Sequence, residues 1–94
     1  MKRRRYKLEF KEAAENGDPE AQIDLGLAYD FGNGVPQDDK EAVKWWRKAV
    51  EQGHTKAQFA LGFMYYKGDG VLENYVQAYA WWNIAAANGD EDAK

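Results

Sequence analysis

The residue types that could carry chemistry are few in this chain: one histidine, no cysteine, two Gly-x-Gly turns, two Trp-Trp pairs and a surplus of carboxylates. The lone His54 rules out a His-rich metal site and gives a His-based triad little support. Without cysteine there is no thiol nucleophile, no disulfide framework and no Cys-ligated zinc. Gly32-x-Gly34 and Gly68-x-Gly70 would cradle phosphate only if a strand preceded them and a helix N-terminus followed. A helical pattern precedes both, and no Lys-Ser or Lys-Thr follows, so they read as structural turns that need positive φ. Asp30, Asn33, Asp38 and Asp39 lack the alternating spacing and closing Glu of a calcium loop. Glu12, Glu15, Glu20, Asp24, Asp30, Glu51 and Glu73 offer no pair set against apolar walls, so a general acid–base pair has no support. The sequence assigns no catalytic residue, no cofactor and no metal.

Trp45, Trp46, Trp81 and Trp82 could form a sugar platform or an aromatic cage. Their helical spacing with Ala42 and Ala49 reads as core instead. Trp46 and Trp82 are expected to be the deeper positions, with Trp45 and Trp81 in the seam between helices. His54 aligns with Asp18 and reads as a surface or capping residue.

The elements that position these residues follow from a duplication. Shifted by 36 residues, the chain matches itself at Ala13, Glu15, Gly17, Ala21, Gln22, Leu25, Gly26, Tyr29, Gly32, Gly34, Val35, Ala42, Trp45 and Trp46. Those are 14 identities over positions 13–48, where average composition gives about two. Each unit reads as two helices. Asp18-Pro19 is an N-cap followed by a proline at the first helical position. Ala21, Leu25, Ala28 and Tyr29 then form an inward stripe, and Gly32 ends the helix in the left-handed conformation. Asp38-Asp39-Lys40-Glu41 opens the second helix as a capping box, and Asn74-Tyr75-Val76-Gln77 repeats it. Gly53, matching Gly17 and Gly89, closes that helix. The pattern predicts an all-α domain with helices at Arg4–Glu15, Pro19–Phe31, Asp39–Gln52, Thr55–Lys67 and Tyr75–Asn88. The 94 residues form one domain. It divides into half a repeat at 4–16, whole repeats at 17–52 and 53–88, and the start of a third at 89–94.

The series Ala21-Gln22…Leu25-Gly26…Tyr29…Gly32-Asn33-Gly34-Val35…Ala42…Trp45-Trp46, repeated 36 residues on, resembles the Sel1-like repeat, a relative of the tetratricopeptide repeat. The resemblance covers about Ala13 to Gly89. It implies a right-handed α-solenoid whose concave face is lined by the first helix of each repeat. It also implies an adaptor for protein–protein contacts without chemistry of its own. Some proteins of this kind have been proposed to bind or cleave antibiotics. Those are cysteine-rich and this chain is not, which leaves a small hydrolase as a weak rival reading. A structural spacer within a longer solenoid is the other.

Positions that the repeat leaves free to vary are the candidates for a partner. By the same resemblance, Ile23, Leu27, Lys56, Phe59, Phe63, Tyr66 and Lys67 line the concave groove. Phe59, Phe63 and Tyr66 share one helix face, with Lys56 and Lys67 bracketing it; the alternative, equally open from the sequence, is that these rings pack on neighbouring helices. The expected ligand is a peptide or partner helix, with the lysines favouring an acidic or carboxylate group. A second patch lies on the last helix. Lys40, Lys44 and Lys48 make a solvated stripe in the first repeat, and Val76, Ala80 and Ile84 replace them in the second. The sequence predicts weak homodimerisation there, the cover otherwise being the next repeat's first helix.

Net charge is −3, and without Lys2 to Arg5 it is −7. An acidic body of this kind fits neither nucleic acid nor an anionic membrane. The Lys2–Arg5 cluster precedes a helix, where it opposes the macrodipole, and reads as a solvated end. No apolar stretch follows it, so secretion is not encoded in this chain. The chain as it stands reads as cytoplasmic, and the compartment of a longer parent stays open.

Overall fold

A computed structural model describes residues 10–93, and among them every regular element is helical. Residues 10–15 form α1, followed by α2 (Pro19–Phe31), α3 (Asp39–Val50), α4 (Thr55–Lys67) and α5 (Tyr75–Ala93). The Lys2–Arg5 cluster and the start of the first expected helix lie outside the described residues.

The capping residues behave as their chemistry dictates. Asp18 accepts from the backbone N–H of Glu20 and Ala21, and Asp38 from those of Lys40 and Glu41. Asn74 accepts from Gln77 N–H at 3.0 Å. The return arm of a capping box is absent. The Asp38 N–H donates to Tyr29 O, and the Asn74 N–H donates to Tyr65 O, both at 2.9 Å. These bonds tie each turn back to the last turn of the helix before it. Gly32 and Gly68 end α2 and α4 with φ of 67° and 75°, where a side chain would be strained.

α2 pairs with α3, and α4 with α5, as two antiparallel hairpins joined along an α3–α4 seam. One core lies in that seam: Ile23, Ala42, Val43, Trp46, Ala49, Ala57, Leu61 and Met64. A second core, of Ala14, Ala21, Leu25 and Trp45, joins α1 to the first hairpin. The repeated Gln22 is a buried clamp. Its Nε2 donates to Ala14 O at 3.0 Å, and its Oε1 accepts from Gln52 Nε2 at 3.3 Å. Asn88 Nδ2 donates likewise to Gln58 Oε1 at 2.9 Å. A buried amide with partners on two neighbouring elements fixes their register.

Two expectations are corrected. α3 ends at Val50 rather than Gln52, because the chain already turns at residues 51–53. Gly89 does not close α5, which runs on to Ala93. Gly17 and Gly53 have φ of 100° and 79°, whereas Gly89 is not among the glycines with positive φ. Each of the first two is followed by a helix that packs back on its predecessor. Gly89 is followed by Asp90-Glu91-Asp92, which is compatible with continued helix.

Candidate protein-interaction face

The two repeats put the same residues in different surroundings. Trp46 lies across α2, its Nε1 donating to Ile23 O at 3.2 Å. The indole sits where a Cβ on Gly26 would be, so only glycine admits it. Trp82 repeats both features, donating to Phe59 O at 3.4 Å over Gly62. α4 covers Trp46, leaving it 2% exposed. No described helix covers Trp82 in the same way, and it is only half-buried. Trp82 is therefore not the deep core residue that its spacing predicts. Trp45 is buried and Trp81 half-buried, so depth differs between repeats more than between positions within a repeat. The Nε1 atoms of Trp45 and Trp81 are both buried without an acceptor.

Rings gather around Trp82. Phe63 and Tyr79 meet it edge-on, with centroids 5.2 and 5.6 Å away. Tyr66 lies tilted at 5.6 Å from Trp82 and 5.2 Å from Tyr75. Despite these contacts Phe63 stays 53% exposed and Tyr79 57%. Phe59 and Tyr66 are also exposed. The result is a continuous aromatic face across α4 and α5. Glu73 holds the Tyr75 hydroxyl above its usual pKa, with a hydrogen bond of 3.4 Å and its negative charge beside the ring.

Of the groove residues named from sequence, Phe63 and Tyr66 meet on Trp82, while Phe59 is exposed on the same helix and touches Trp82 through its backbone oxygen. Leu27 is exposed on α2, but Ile23 is 8% exposed and belongs to the core. Ile23 is mostly covered by the seam with α3 and α4, and what remains of its surface lines the cleft beside Lys56. The lysines do not form a free basic bracket. Lys67 pairs with Asp69 at 3.4 Å. Lys56 is exposed and lines a cleft of about 600 Å³ together with Glu20, Asp24 and His54, a wall of mixed charge. His54 stands at the N-cap of α4 without a capping hydrogen bond. Near Lys67, burial holds the Asp30 carboxyl above its ordinary pKa; Lys67 opposes this, and Asp39 and Asp69 add to it.

The outer stripe on α5 is exposed as expected: Val76 79%, with Ile84 and Ala80 beside it. Its expected cover is corrected. Lys40, Lys44 and Lys48 remain exposed although α4 and α5 follow α3. The next helix pair therefore does not cover that stripe. Nor are the lysines simply solvated, since Lys44 and Lys48 Nζ lie 5.6 and 5.9 Å from the Trp45 ring centroid. The positions a following helix covers are Val43 and Trp46, which correspond to Tyr79 and Trp82. Sequence reasoning missed Tyr75, Tyr79 and Trp82 as part of the face. Alignment with Val43 and Trp46 is the signal, but it is readable only once α4 is seen on α3.

Helical hairpins stacked at a fixed period, with clamps and turns repeated, define an α-helical repeat scaffold. Residues 19–54 and 55–90 each match the Sel1 repeat, and the chain belongs to that family. It is similar in structure to c5321, a protective antigen of uropathogenic Escherichia coli with an SLR fold. The TM-score is 0.83 at 44% identity, over 85% of this chain and 17% of that one. A Sel1 repeat protein from Oxalobacter formigenes gives 0.83 at 39% identity, over 84% of this chain and 60% of the other. Helicobacter pylori cysteine rich protein B (hcpB) gives 0.86 at 27%, over 97% and 68%. The chain thus spans only part of the length of these relatives. No curated protein sequence matches it. These neighbours are solenoids, and the all-helical solenoid expected from the sequence is the fold observed. Proteins of this family are in general helical scaffolds for protein–protein contacts.

Proposed function

We propose that the chain is a protein-interaction module that takes a partner helix or peptide on α4 and the adjoining rings of α5. One observation carries this reading. Phe63, Tyr66 and Tyr79 surround Trp82 yet remain about half exposed, at a place where the first repeat is covered. A contiguous apolar patch of this kind marks a contact site. Clustered aromatic residues are also the side chains that dominate binding energy. Leu27 and Lys56 extend the surface towards α2, and no residue is assigned a catalytic role.

The test is selection of a displayed random-peptide library on the 94-residue chain, with the Phe63→Ala variant as counter-screen. Peptides should be enriched on the parent and bind Phe63→Ala at least about tenfold more weakly, the loss expected for a central anchor. Enrichment that is identical on both proteins, or none at all, would leave the chain as a spacer.

A second surface is favoured by the change from Lys40, Lys44 and Lys48 to Val76, Ala80 and Ile84. The exposed apolar stripe supports weak two-fold self-association through α5.

A further inference from the structure

We propose that the outer side of α3 carries a separate, electrostatic contact. A cleft lined by Lys44, Trp45 and Lys48 takes a carboxylate side chain from an acidic segment of a partner protein. This contact lies apart from the aromatic face of α4 and α5 and stands without it.

The cleft has a volume of about 260 Å³ and lies where α1, α2 and α3 meet, between Ala14, Glu15, Gln22, Lys44, Trp45 and Lys48. Ala14 and Trp45 are buried and give it an apolar wall. Lys44 and Lys48 are exposed, with Nζ atoms 5.6 and 5.9 Å from the Trp45 ring centroid. Two ammonium groups held at one ring repel each other, and an anion between them relieves that repulsion. Their ion pairs within the chain leave room for one. Lys44 reaches Glu41 only at 3.9 Å, with both side chains open to solvent, and such a pair is weak. Lys48 has no ion pair among the described residues. The wall holds a third donor, since Trp45 Nε1 is buried without an acceptor. Gln22 does not supply one, because its Oε1 is taken by Gln52 and its Nε2 by Ala14 O. A buried donor left unpaired is costly, and a carboxylate oxygen satisfies it. The second repeat separates the two features. Trp81 Nε1 is buried and unpaired as well, but Ala80 and Ile84 stand where Lys44 and Lys48 do. The unpaired indole is common to both repeats, and the paired cations set the first apart.

Charge and size choose the occupant. Two lysines less Glu15 leave the lining at a formal +1, which one carboxylate neutralises. A dianionic phosphate would overshoot that charge and meet Glu15. Sites that enclose a free small molecule run to roughly 300–1,000 Å³, so this smaller cleft suits a single side chain. The surroundings call for more than one carboxylate on the same partner. Lys40, Lys44 and Lys48 are exposed and follow one another about 6 Å apart along the helix, with Arg47 beside them. α3 is thus locally basic in a chain of net charge −3. A segment with several acidic side chains matches the row, and one of them anchors in the cleft.

The probe is an alanine-based peptide with Glu at every fourth position, and its control carries Gln there instead. Titration into the 94-residue chain at low salt is followed by NMR on the tryptophan indole N–H signals. The Trp45 signal should move while that of Trp81 stays. Lys44→Gln or Lys48→Gln should each weaken binding about tenfold, the loss of one charge-assisted hydrogen bond. Glu15→Gln, which removes the opposing charge, should strengthen it about threefold. Lys67→Gln makes the same charge change on α4 and should leave binding unchanged. All four substituted residues are exposed, so the fold is retained in each variant. Equal binding by the Gln peptide, or an unmoved Trp45 signal, would overturn the proposal. So would an equal loss in Lys67→Gln, which would reduce the effect to net charge. Sodium acetate that moves the Trp45 signal as far, at the same carboxylate concentration, would give the cleft to a free small anion. Inorganic phosphate that binds more tightly than the peptide would give it to a phosphate group. Either result would overturn the acidic segment.

Discussion

Trp46 and Trp82 are the same residue at the same point of two repeats, with the same hydrogen bond, and they differ in what lies on top. Deleting a fully buried indole leaves a cavity that its neighbours cannot fill, so Trp46→Ala should cost roughly 3 to 5 kcal/mol. Trp82 already meets solvent on one side, and Trp82→Ala should cost about half as much. Chemical denaturation of both variants checks the order; equal losses would mean that Trp82 is buried after all. The glycines beneath them make a companion pair. Alanine in a helix gains about 1 kcal/mol over glycine. At Gly26 the new Cβ meets an indole locked under α4, and overpacking of about 1 to 3 kcal/mol should make Gly26→Ala destabilising. At Gly62 the Trp82 ring has solvent to move into, so Gly62→Ala should be distinctly milder.

At the scale of the element, glycines that look alike in the repeat do different work. Gly53 leaves α3 at φ 79°, and Gly53→Ala should lose about 1 kcal/mol or more to backbone strain. Gly89 sits within α5, with nothing within 4 Å of a Cβ placed there. Gly89→Ala should therefore gain roughly 0.5 to 1 kcal/mol, by helix propensity alone. Thermal melts with opposite signs would separate a turn from a continuous helix. The meeting of the α2 C-terminus with the α3 N-terminus gives a pH signature. Burial, then Asp39 and Asp69, hold the Asp30 pKa above its ordinary 3.8, against the pull of Lys67. A raised carboxyl pKa means that the folded state prefers the protonated form. The stability it contributes is complete below the ordinary value and is lost as pH rises through the folded value. Asp30→Asn should thus melt slightly higher than the parent at pH 7, with the gain shrinking towards zero in acid. A gain that persists unchanged below pH 3.8 would assign the effect to packing.

For the whole molecule, the open question is how many surfaces it uses. The aromatic face of α4 and α5 and the Val76–Ala80–Ile84 stripe lie on different sides of α5. Sedimentation over a range of protein concentrations should show weak dimerisation that Ile84→Lys removes and Tyr79→Glu spares. A chain that stays monomeric at every concentration, with Ile84→Lys indistinguishable from the parent, would retire the stripe as an interface.

The duplication, the helical hairpins, the Asp18, Asp38 and Asn74 caps and the Gly32 and Gly68 turns were legible in the sequence, because each depends on residues within a few positions of one another; the expected stop at Gly89 was not one of them. Asp18, Asp38 and Asn74 cap the helices that begin at the very next residue, and Gly32 supplies its own left-handed φ. Amphipathic spacing likewise placed Ala42, Trp46 and Ala49 on a buried face. Which side of that face meets a neighbour was decided only in three dimensions. Ile23 and Phe59 align perfectly in the repeat, yet α3 and α4 close over the first, while the second is left on the surface. Val43 and Tyr79, or Trp46 and Trp82, differ for the same reason. Burial at such positions depends on a helix packed alongside, and residue spacing within one helix carries no record of which side that helix takes.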